Sequence, residues 1–277
     1  MITRILVAVS GTAVGPAKLR QTLDLARRHK AEITALSVID VERLRHVGPV
    51  PIGASHHAEH WREQRIEEAR AAAEQSIADM ADLAGQEDLK VHTLRAEGDP
   101  LDVLIGAWRY QDLCVLGARS WFEHGVVAEP ADALLKVVAA GVRPLLTVTE
   151  ATHTVHKALI SYNGSLESAK AMKQFAQMRI WPGIALHIVC VNGTKSGEAP
   201  ERVLEDAAAY CRGQGFGCTT AQLDGRPSEV LLRHAHEVEA DLIVLGSSFR
   251  KVLTLQRFGI NARSLLESSD LPLFLSH

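Results

Sequence analysis

The stretch Asp112-Leu-Cys-Val-Leu-Gly117 decides the fold, because it returns near the end of the chain as Asp241-Leu-Ile-Val-Leu-Gly246. Both stretches are apolar without alternation, which is typical of parallel strands covered by helices on both faces. A second copy of such a strand points to an internal repeat, and a repeat changes how every other element is assigned. The two stretches therefore predict two copies of one α/β unit.

Three further pairs of segments match in the same order along the chain. They are Ile5–Thr12 with Ala158–Ser165, Glu97–Leu104 with Asp224–Leu231, and Arg143–Val148 with Leu271–Leu275. The spacing between equivalent residues falls from 153 at Gly11 and Gly164 to 127 at Pro100 and Pro227, so the first copy carries 26 more residues between these points. We place the extra length around residues 40–75 and the boundary at 150, giving domains 1–150 and 151–277.

Each copy is predicted to contain strands alternating with helices. The predicted strands cover 4–9, 32–38, 90–95, 112–117 and 144–148, then 157–162, 184–191, 217–223, 241–246 and 271–275. This alternation predicts right-handed β-α-β units and an open, doubly wound parallel sheet in each copy. Ligands of such sheets bind outside the carboxyl ends of the strands, so that edge is where we expect a site.

Composition excludes several classes of function. The chain of 277 residues is 47% hydrophobic and 23% charged, and its net charge of −3 is spread along the sequence. We therefore expect no nucleic-acid binding, which needs a concentrated basic surface. No stretch is long and apolar enough for a membrane span, and we see no signal peptide, so we expect a soluble cytoplasmic protein without membrane association.

Four motifs recur in both copies and carry a family resemblance. The first strand ends in Ser10-Gly-Thr12 or Asn163-Gly-Ser165, a Gly-x-Pro turn precedes the third helix, and an Asp-led apolar strand and a Pro-led final strand follow. In this order and combination, both copies resemble universal stress protein domains. The resemblance implies a five-stranded, Rossmann-like sheet of the adenine nucleotide alpha hydrolase type in each domain. It also implies that the two last strands pair, giving an internal pseudo-dimer, and a regulatory role in stress responses.

Some members of that family bind ATP, and their motif has a clear physical basis. They carry an Asp after the first strand and a loop of the form G-x-x-G, nine residues, then G-[ST]. Glycines let backbone N–H groups approach the phosphates, and the helix that follows adds its unpaired donors and the positive end of its dipole. The resemblance implies that the Asp holds the nucleoside end.

The second copy keeps this motif in part. Asn163 stands at the Asp position, and the loop reads Gly246-Ser-Ser-Phe249, nine residues, then Gly259-Ile260-Asn261. Phe249 replaces the second glycine and Ile260 replaces the hydroxyl residue, whereas Asn163 offers an acceptor. The candidate nucleotide-binding residues, for ATP with Mg²⁺, are Asn163, Gly246, Ser247, Ser248, Arg250, Gly259, Ile260 and Asn261.

The first copy keeps less of the motif. Its counterparts are Ser10, Gly117 and Arg119, and Pro130 stands where a backbone donor is needed. We therefore do not expect ATP binding there. Gly117, and Gly246 as well, can instead be explained as glycines that end buried strands.

The remaining features leave three hypotheses for function. No catalytic motif occurs, so we favour a non-enzymatic regulatory or ligand-sensing protein over a slow ATPase, and a protein that only docks partners is the third hypothesis. His56 and His60 have metal-ligand spacing in the extra segment, but a solvated polar insert explains them more simply, and we predict no metal site. The sequence allows two such tandem chains to associate as a homodimer and does not decide whether they do.

Overall fold

The structure is a computed structural model of the chain. It describes residues 2–9, 16–45, 55–117, 130–141, 143–149, 154–195, 197–247, 249–252, 255–258 and 260–277.

The described part of the first copy alternates strands and helices, as the sequence predicts. The order is β1 (Arg4–Ala8), α1 (Pro16–His29), β2 (Glu32–Ile39), α2 (Val41–Arg45), α3 (Ser55–Gln86), β3 (Val91–Glu97), α4 (Pro100–Trp108), β4 (Leu113–Gly117), α5 (Pro130–Ala140) and β5 (Leu145–Val148). The extra residues of this copy form α2 and lengthen α3, which has 32 residues against 14 in its counterpart α7. The insert therefore adds helix rather than loop over its described part.

The second copy follows the same alternation and contains a hairpin after its fourth sheet strand. The order is β6 (Lys157–Ser161), α6 (Leu166–Met178), β7 (Ala185–Val191), α7 (Pro200–Gly213), β8 (Gly217–Leu223), α8 (Pro227–Glu237), β9 (Leu242–Gly246), β10 (Phe249–Val252), β11 (Leu255–Phe258), α9 (Ile260–Ser268) and β12 (Leu273–Ser276). The sequence does not predict β10 and β11, which pair antiparallel with each other.

The strands of both copies join in one ten-stranded sheet. Its order is β3-β2-β1-β4-β5-β12-β9-β6-β7-β8. Every pairing within a copy of this sheet is parallel, whereas β5 and β12 pair antiparallel across the junction, with Phe274 opposite Leu146. The buried Thr147 hydroxyl also accepts a 2.9 Å hydrogen bond from the N–H of Leu273. The last strands thus join the two copies as a pseudo-dimer, which confirms the predicted fold class.

Two apolar layers hold the helices against the sheet. Alternate residues of each central strand enter opposite layers: Ile5 and Val7 of β1 join one layer, and Leu6 and Ala8 join the other. One layer lies under α1, α3, α6 and α7, and the other lies under α4, α5, α8 and α9. Because β1, β4 and β9 are covered on both faces, they read as continuous apolar runs.

The repeated aspartates hold the starts of two strands. The Asp241 carboxylate accepts hydrogen bonds from the N–H groups of His156 and Lys157, at 2.7 and 3.0 Å. Asp112 accepts equivalent bonds from the N–H groups of Thr3 and Arg4. Burial opposes ionisation of Asp112, but these hydrogen bonds outweigh it and lower the pKa of the carboxyl. The repeated Asp is therefore structural and lies at the sheet edge opposite the candidate site.

Candidate functional site

The candidate site lies where β6, β7, β9 and β12 end together, since parallel strands share one carboxyl edge. Asn163 follows β6 at this edge. Its Oδ1 accepts hydrogen bonds from the N–H of Ser165, at 3.1 Å, and from the hydroxyl of Ser168, at 3.2 Å. The Ser168 hydroxyl has one hydrogen and lies nearer, at 2.9 Å, to the carbonyl of Ser165, so the N–H of Ser165 is the dedicated donor to this amide oxygen. Asn163 can present its NH₂ group to a ligand, and its oxygen, the acceptor expected from the sequence, already accepts from the N–H of Ser165.

Side chains of the first turn of α6 accept hydrogen bonds from backbone donors of the same turn. Ser165 is the N-cap, and its hydroxyl accepts a 3.2 Å hydrogen bond from the N–H of Ser168. Glu167 in the same turn bonds its own backbone N–H, and this bond, followed by the Ser165 hydroxyl and the charges of Lys195 and His277, outweighs burial and lowers the pKa of its carboxyl. The N–H groups of Glu167 and Ser168 thus bond side chains of the same turn and a carboxylate lies beside them, which disfavours a phosphate there.

Gly246, the last residue of β9, packs directly against α6. A Cβ at this position would lie 2.5 Å from the carbonyl carbon and oxygen of Glu167 and 2.6 Å from the nitrogen of Ser168. These separations are shorter than side chains tolerate, so only glycine allows the strand and helix to come this close. The packing explains Gly246 without a ligand, in line with the alternative of a strand-ending glycine.

Ser247, the residue after Gly246, is a described residue at this edge with a buried, unused polar group. Its N–H donates to the carbonyl of Ser276 at 2.7 Å, and its carbonyl accepts from Nδ1 of His277 at 2.8 Å. Its hydroxyl oxygen is buried and has no hydrogen-bond partner. A buried hydroxyl without a partner is costly, so a ligand oxygen at this position would be favourable.

The loop after β7 approaches the same edge. The N–H of Lys195 donates to the carbonyl of Asn163 at 2.9 Å, and the Asn192 side chain makes two hydrogen bonds with the backbone of Gly225. These bonds fix two neighbouring loops around the end of β6. Lys195 is the cation whose charge acts on Glu167.

The segment predicted as an open phosphate loop is partly a hairpin. Strands β10 and β11 occupy most of the nine residues between the two glycine positions, and α9 begins at Ile260. Ser248 and Gly259 lie outside the described residues, as do the side chains of Arg250, Ile260 and Asn261. What the structure places here is the start of α9, whose first backbone donors face the carboxyl edge.

The equivalent edge of the first copy is less completely described. Gly117 ends β4 and pairs with Val148, whereas Ser10 and Arg119 lie outside the described residues. Pro130 is the first residue of α5. Proline suits this first position because it needs no N–H for the helix, but it removes a donor that a phosphate would use.

A small cavity lies away from this edge, at the junction of the two copies. Its volume is about 70 Å³, and its lining includes Arg28, Val148, Trp181 and Pro272. It is too small for a nucleotide, since ligand pockets commonly span about 300–1,000 Å³.

Two other expectations concern metals and membranes. Among the described residues, no three His, Cys, Asp or Glu side chains converge as a metal-binding group. His56 and His57 have undescribed side chains, so the spacing in the insert is not tested. Within the described ranges no helix combines the length and apolarity needed to cross a bilayer.

Comparisons with known proteins agree with the fold. Residues 1–140 and 154–277 both match the Universal stress protein family. Among solved structures, a universal stress protein from Archaeoglobus fulgidus DSM 4304 is similar at 18% identity and a TM-score of 0.64, covering 99% of this chain and 95% of that one. A functionally unknown protein from Pseudomonas aeruginosa PAO1 is similar at 15% identity and a TM-score of 0.62, covering 99% and 92%. A search of curated protein sequences gave no significant match.

Proposed function

Because the chain belongs to the universal stress protein family, in two tandem domains, we propose that it is a non-enzymatic regulator of the stress response whose second domain binds an adenine nucleotide. Family membership supports the stress-response role. The nucleotide is the finer part of the proposal, and the residues of the second domain support it.

The buried Ser247 hydroxyl is the observation that carries this proposal. It lies one residue after Gly246, at the carboxyl edge, and has no hydrogen-bond partner. A phosphate oxygen accepting from this hydroxyl would relieve the cost of leaving it unpaired, which is roughly 1–3 kcal/mol. The backbone donors at the start of α9 would share the phosphate charge.

The remaining contacts define how such a ligand is oriented. Asn163 would donate from its NH₂ group to a ribose or base acceptor, a reversal of the role that the resemblance gives to Asp. Lys195 would balance the negative charge that Glu167 places at this edge. ATP would bring Mg²⁺ with its phosphates, and Glu167 supplies a carboxylate at this edge.

A specific observation also favours the alternative of a protein that docks partners without a nucleotide. Asn163 Oδ1 accepts from the N–H of Ser165, the N–H of Ser168 donates to Ser165, and the backbone of α6 packs against Gly246. If the backbone donors at the start of α9 also have partners within the protein, the carboxyl edge of the second domain offers no nucleotide site. Weak ATP hydrolysis is the less supported alternative, because neither copy has an intact phosphate loop.

Calorimetric titration of ATP, ADP and AMP with Mg²⁺ into the full chain and the Ser247→Ala variant separates these proposals. The matched control is Ser37→Ala, because Ser37 is also buried and also has a hydroxyl without a partner, but lies in β2 of the first domain. Loss of one hydrogen bond worth about 0.5–1.5 kcal/mol would weaken binding about two- to twelvefold.

We expect micromolar binding that is weakened in Ser247→Ala and unchanged in Ser37→Ala. Equal binding by all three proteins would place the nucleotide elsewhere and contradict the proposed site. An absence of heat at millimolar nucleotide would remove the nucleotide and favour the docking protein.

A further inference from the structure

Two histidines of the second domain meet within one apolar layer. His187 lies on β7 and His234 on α8, and their Nε2 atoms are 2.9 Å apart. The ring centroids are 5.1 Å apart, with the planes inclined by 42°. His187 is 9% exposed, and the His234 side chain keeps 16% of its surface exposed. The pair is therefore largely buried but reaches solvent on the His234 side.

The second nitrogen of each ring, Nδ1, lies within hydrogen-bond distance of an oxygen atom. His234 Nδ1 lies 3.0 Å from Oε2 of Glu237, and His187 Nδ1 lies 2.7 Å from the hydroxyl of Thr219. Because an ionised carboxylate can only accept, His234 carries its hydrogen on Nδ1 when neutral, and its Nε2 presents a lone pair to His187. In the neutral pair, His187 Nε2–H donates to that lone pair and the Thr219 hydroxyl donates to His187 Nδ1.

A change of tautomer at His187 would turn the two hydrogen-bonded nitrogens into two metal ligands. If the His187 hydrogen moves to Nδ1 and the Thr219 hydroxyl rotates to accept it, the lone pairs of both Nε2 atoms face one point. Imidazoles that bind metals almost always have this arrangement, with the second N–H held by an oxygen acceptor. The exchange changes neither the number of protons on the pair nor its net charge.

We propose that His187 and His234 bind a divalent transition-metal ion, such as Zn²⁺, through their Nε2 atoms, with water completing the coordination. Tetrahedral zinc with Zn–N bonds of about 2.0–2.1 Å holds two nitrogens about 3.3 Å apart. The Nε2 atoms therefore need to separate by about 0.4 Å from their 2.9 Å contact, and the rings, which meet nearly head-on, need to tilt so that both lone pairs converge on the metal. No third protein ligand converges here among the described residues, so the site has two protein ligands.

The surroundings of His187 disfavour a positive charge on that ring. Burial, then His234 and Lys157, lower the pKa of His187. Lys157 donates its ammonium to the carbonyl of Val238, and Glu237 also pairs with Arg233 at 3.5 Å. Lys157 opposes a bound cation and Glu237 favours one, so the charge is balanced around the pair.

The pair is a feature of the second domain and not a requirement of the fold. By the spacing of the repeat, Thr34 and Ala107 occupy the equivalent positions of the first domain. A threonine and an alanine fill that layer without an imidazole. The two histidines therefore need an explanation other than packing, and metal binding supplies one.

The test is titration of Zn²⁺ into the full chain and into His187→Gln and His234→Gln, each checked for folding by circular dichroism. The control is His236→Gln, because His236 lies on the same helix but faces solvent and bonds Asp270 at 3.1 Å. We expect one zinc ion per chain in wild type, binding at least tenfold weaker in both pair variants and unchanged in the control. Unchanged binding in both pair variants, or no binding at 1 mM zinc (about the weakest affinity of interest), overturns the proposal.

A second measurement needs no variant. Long-range proton–nitrogen NMR spectra of the wild-type rings distinguish a protonated Nε2 from one bound to a metal. We expect stoichiometric zinc to move the Nε2 signals of His187 and His234 and to place the His187 hydrogen on Nδ1. The site would be contradicted if zinc moved the signals of other histidines and left those of His187 and His234 unchanged.

Discussion

Replacing Gly246 by alanine tests how the candidate edge is built. The added Cβ would lie 2.5–2.6 Å from three backbone atoms of Glu167 and Ser168. Ordinary van der Waals contact begins at 3.4 Å, so strand and helix must separate by nearly 1 Å. Because the contacts are backbone atoms at the first turn of α6, no side-chain rotation relieves them.

The expected cost follows from two effects. Overpacking in a filled interior costs about 1–3 kcal/mol. Moving the first turn of α6 also strains the hydrogen bonds that join Asn163, Ser165 and Ser168, of which one lost bond is worth about 1 kcal/mol. We therefore expect Gly246→Ala to lower the free energy of unfolding by about 2–4 kcal/mol.

Urea unfolding followed by circular dichroism measures this change. The control is Gly106→Ala in α4, where an added Cβ meets nothing within 4 Å. Alanine is favoured over glycine inside a helix by about 0.5–1 kcal/mol, so this variant should be as stable as wild type or more stable. A Gly246→Ala protein within about 0.5 kcal/mol of wild type would refute the close-approach explanation.

Three further predictions concern stability. Thr147→Val removes the buried acceptor of the Leu273 N–H at the junction between the copies, and we expect a loss of about 1–3 kcal/mol in chemical unfolding; a neutral effect would contradict the role of this bond. Asp241→Ala leaves two N–H groups at the start of β6 without their carboxylate, and we expect its thermal unfolding midpoint to fall, whereas an unchanged midpoint would show the bonds to be dispensable. Burial lowers the pKa of His187 below its ordinary value of 6.5, so the unfolded state binds more protons in this range and stability should decline as pH falls below about 6.5; His187→Gln should flatten that decline in unfolding experiments at several pH values.

The sequence pattern predicts the sheet well, for a physical reason. Buried parallel strands read as apolar runs, and the repeat aligns them twice, so the predicted strands lie within about two residues of β1–β9 and β12. Leu113–Gly117 and Leu242–Gly246 are the clearest examples. The hairpin of β10 and β11 was missed, because each strand has only four residues and two adjacent polar residues at its centre, which gives no period-two pattern.

The candidate site was less predictable, because its chemistry depends on contacts that a sequence does not contain. Asn163 reads as an available acceptor until its oxygen is found bonded to Ser165 and Ser168. Gly246 matches a phosphate motif, yet the backbone of α6 already requires a glycine there. Ser247 was predicted from its place in the loop, but its unpaired hydroxyl is visible only in the fold.

The His187 pair was not predicted at all. His187 lies within an apolar strand, and His234 lies 47 residues further along the chain. Only the packing of α8 on β7 and β8 brings the two rings together. Single histidines in apolar segments give no signal of a partner, so this feature required the structure.

Amide NMR spectra recorded during titration with ATP and Mg²⁺ test the central claim most directly. If the second domain binds the nucleotide at its carboxyl edge, the amide signals of Asn163, Ser247 and Ile260 will shift with saturation, whereas Gly117 in the first domain will not. Saturating shifts confined to other residues, or no shifts at millimolar nucleotide, would contradict the claim.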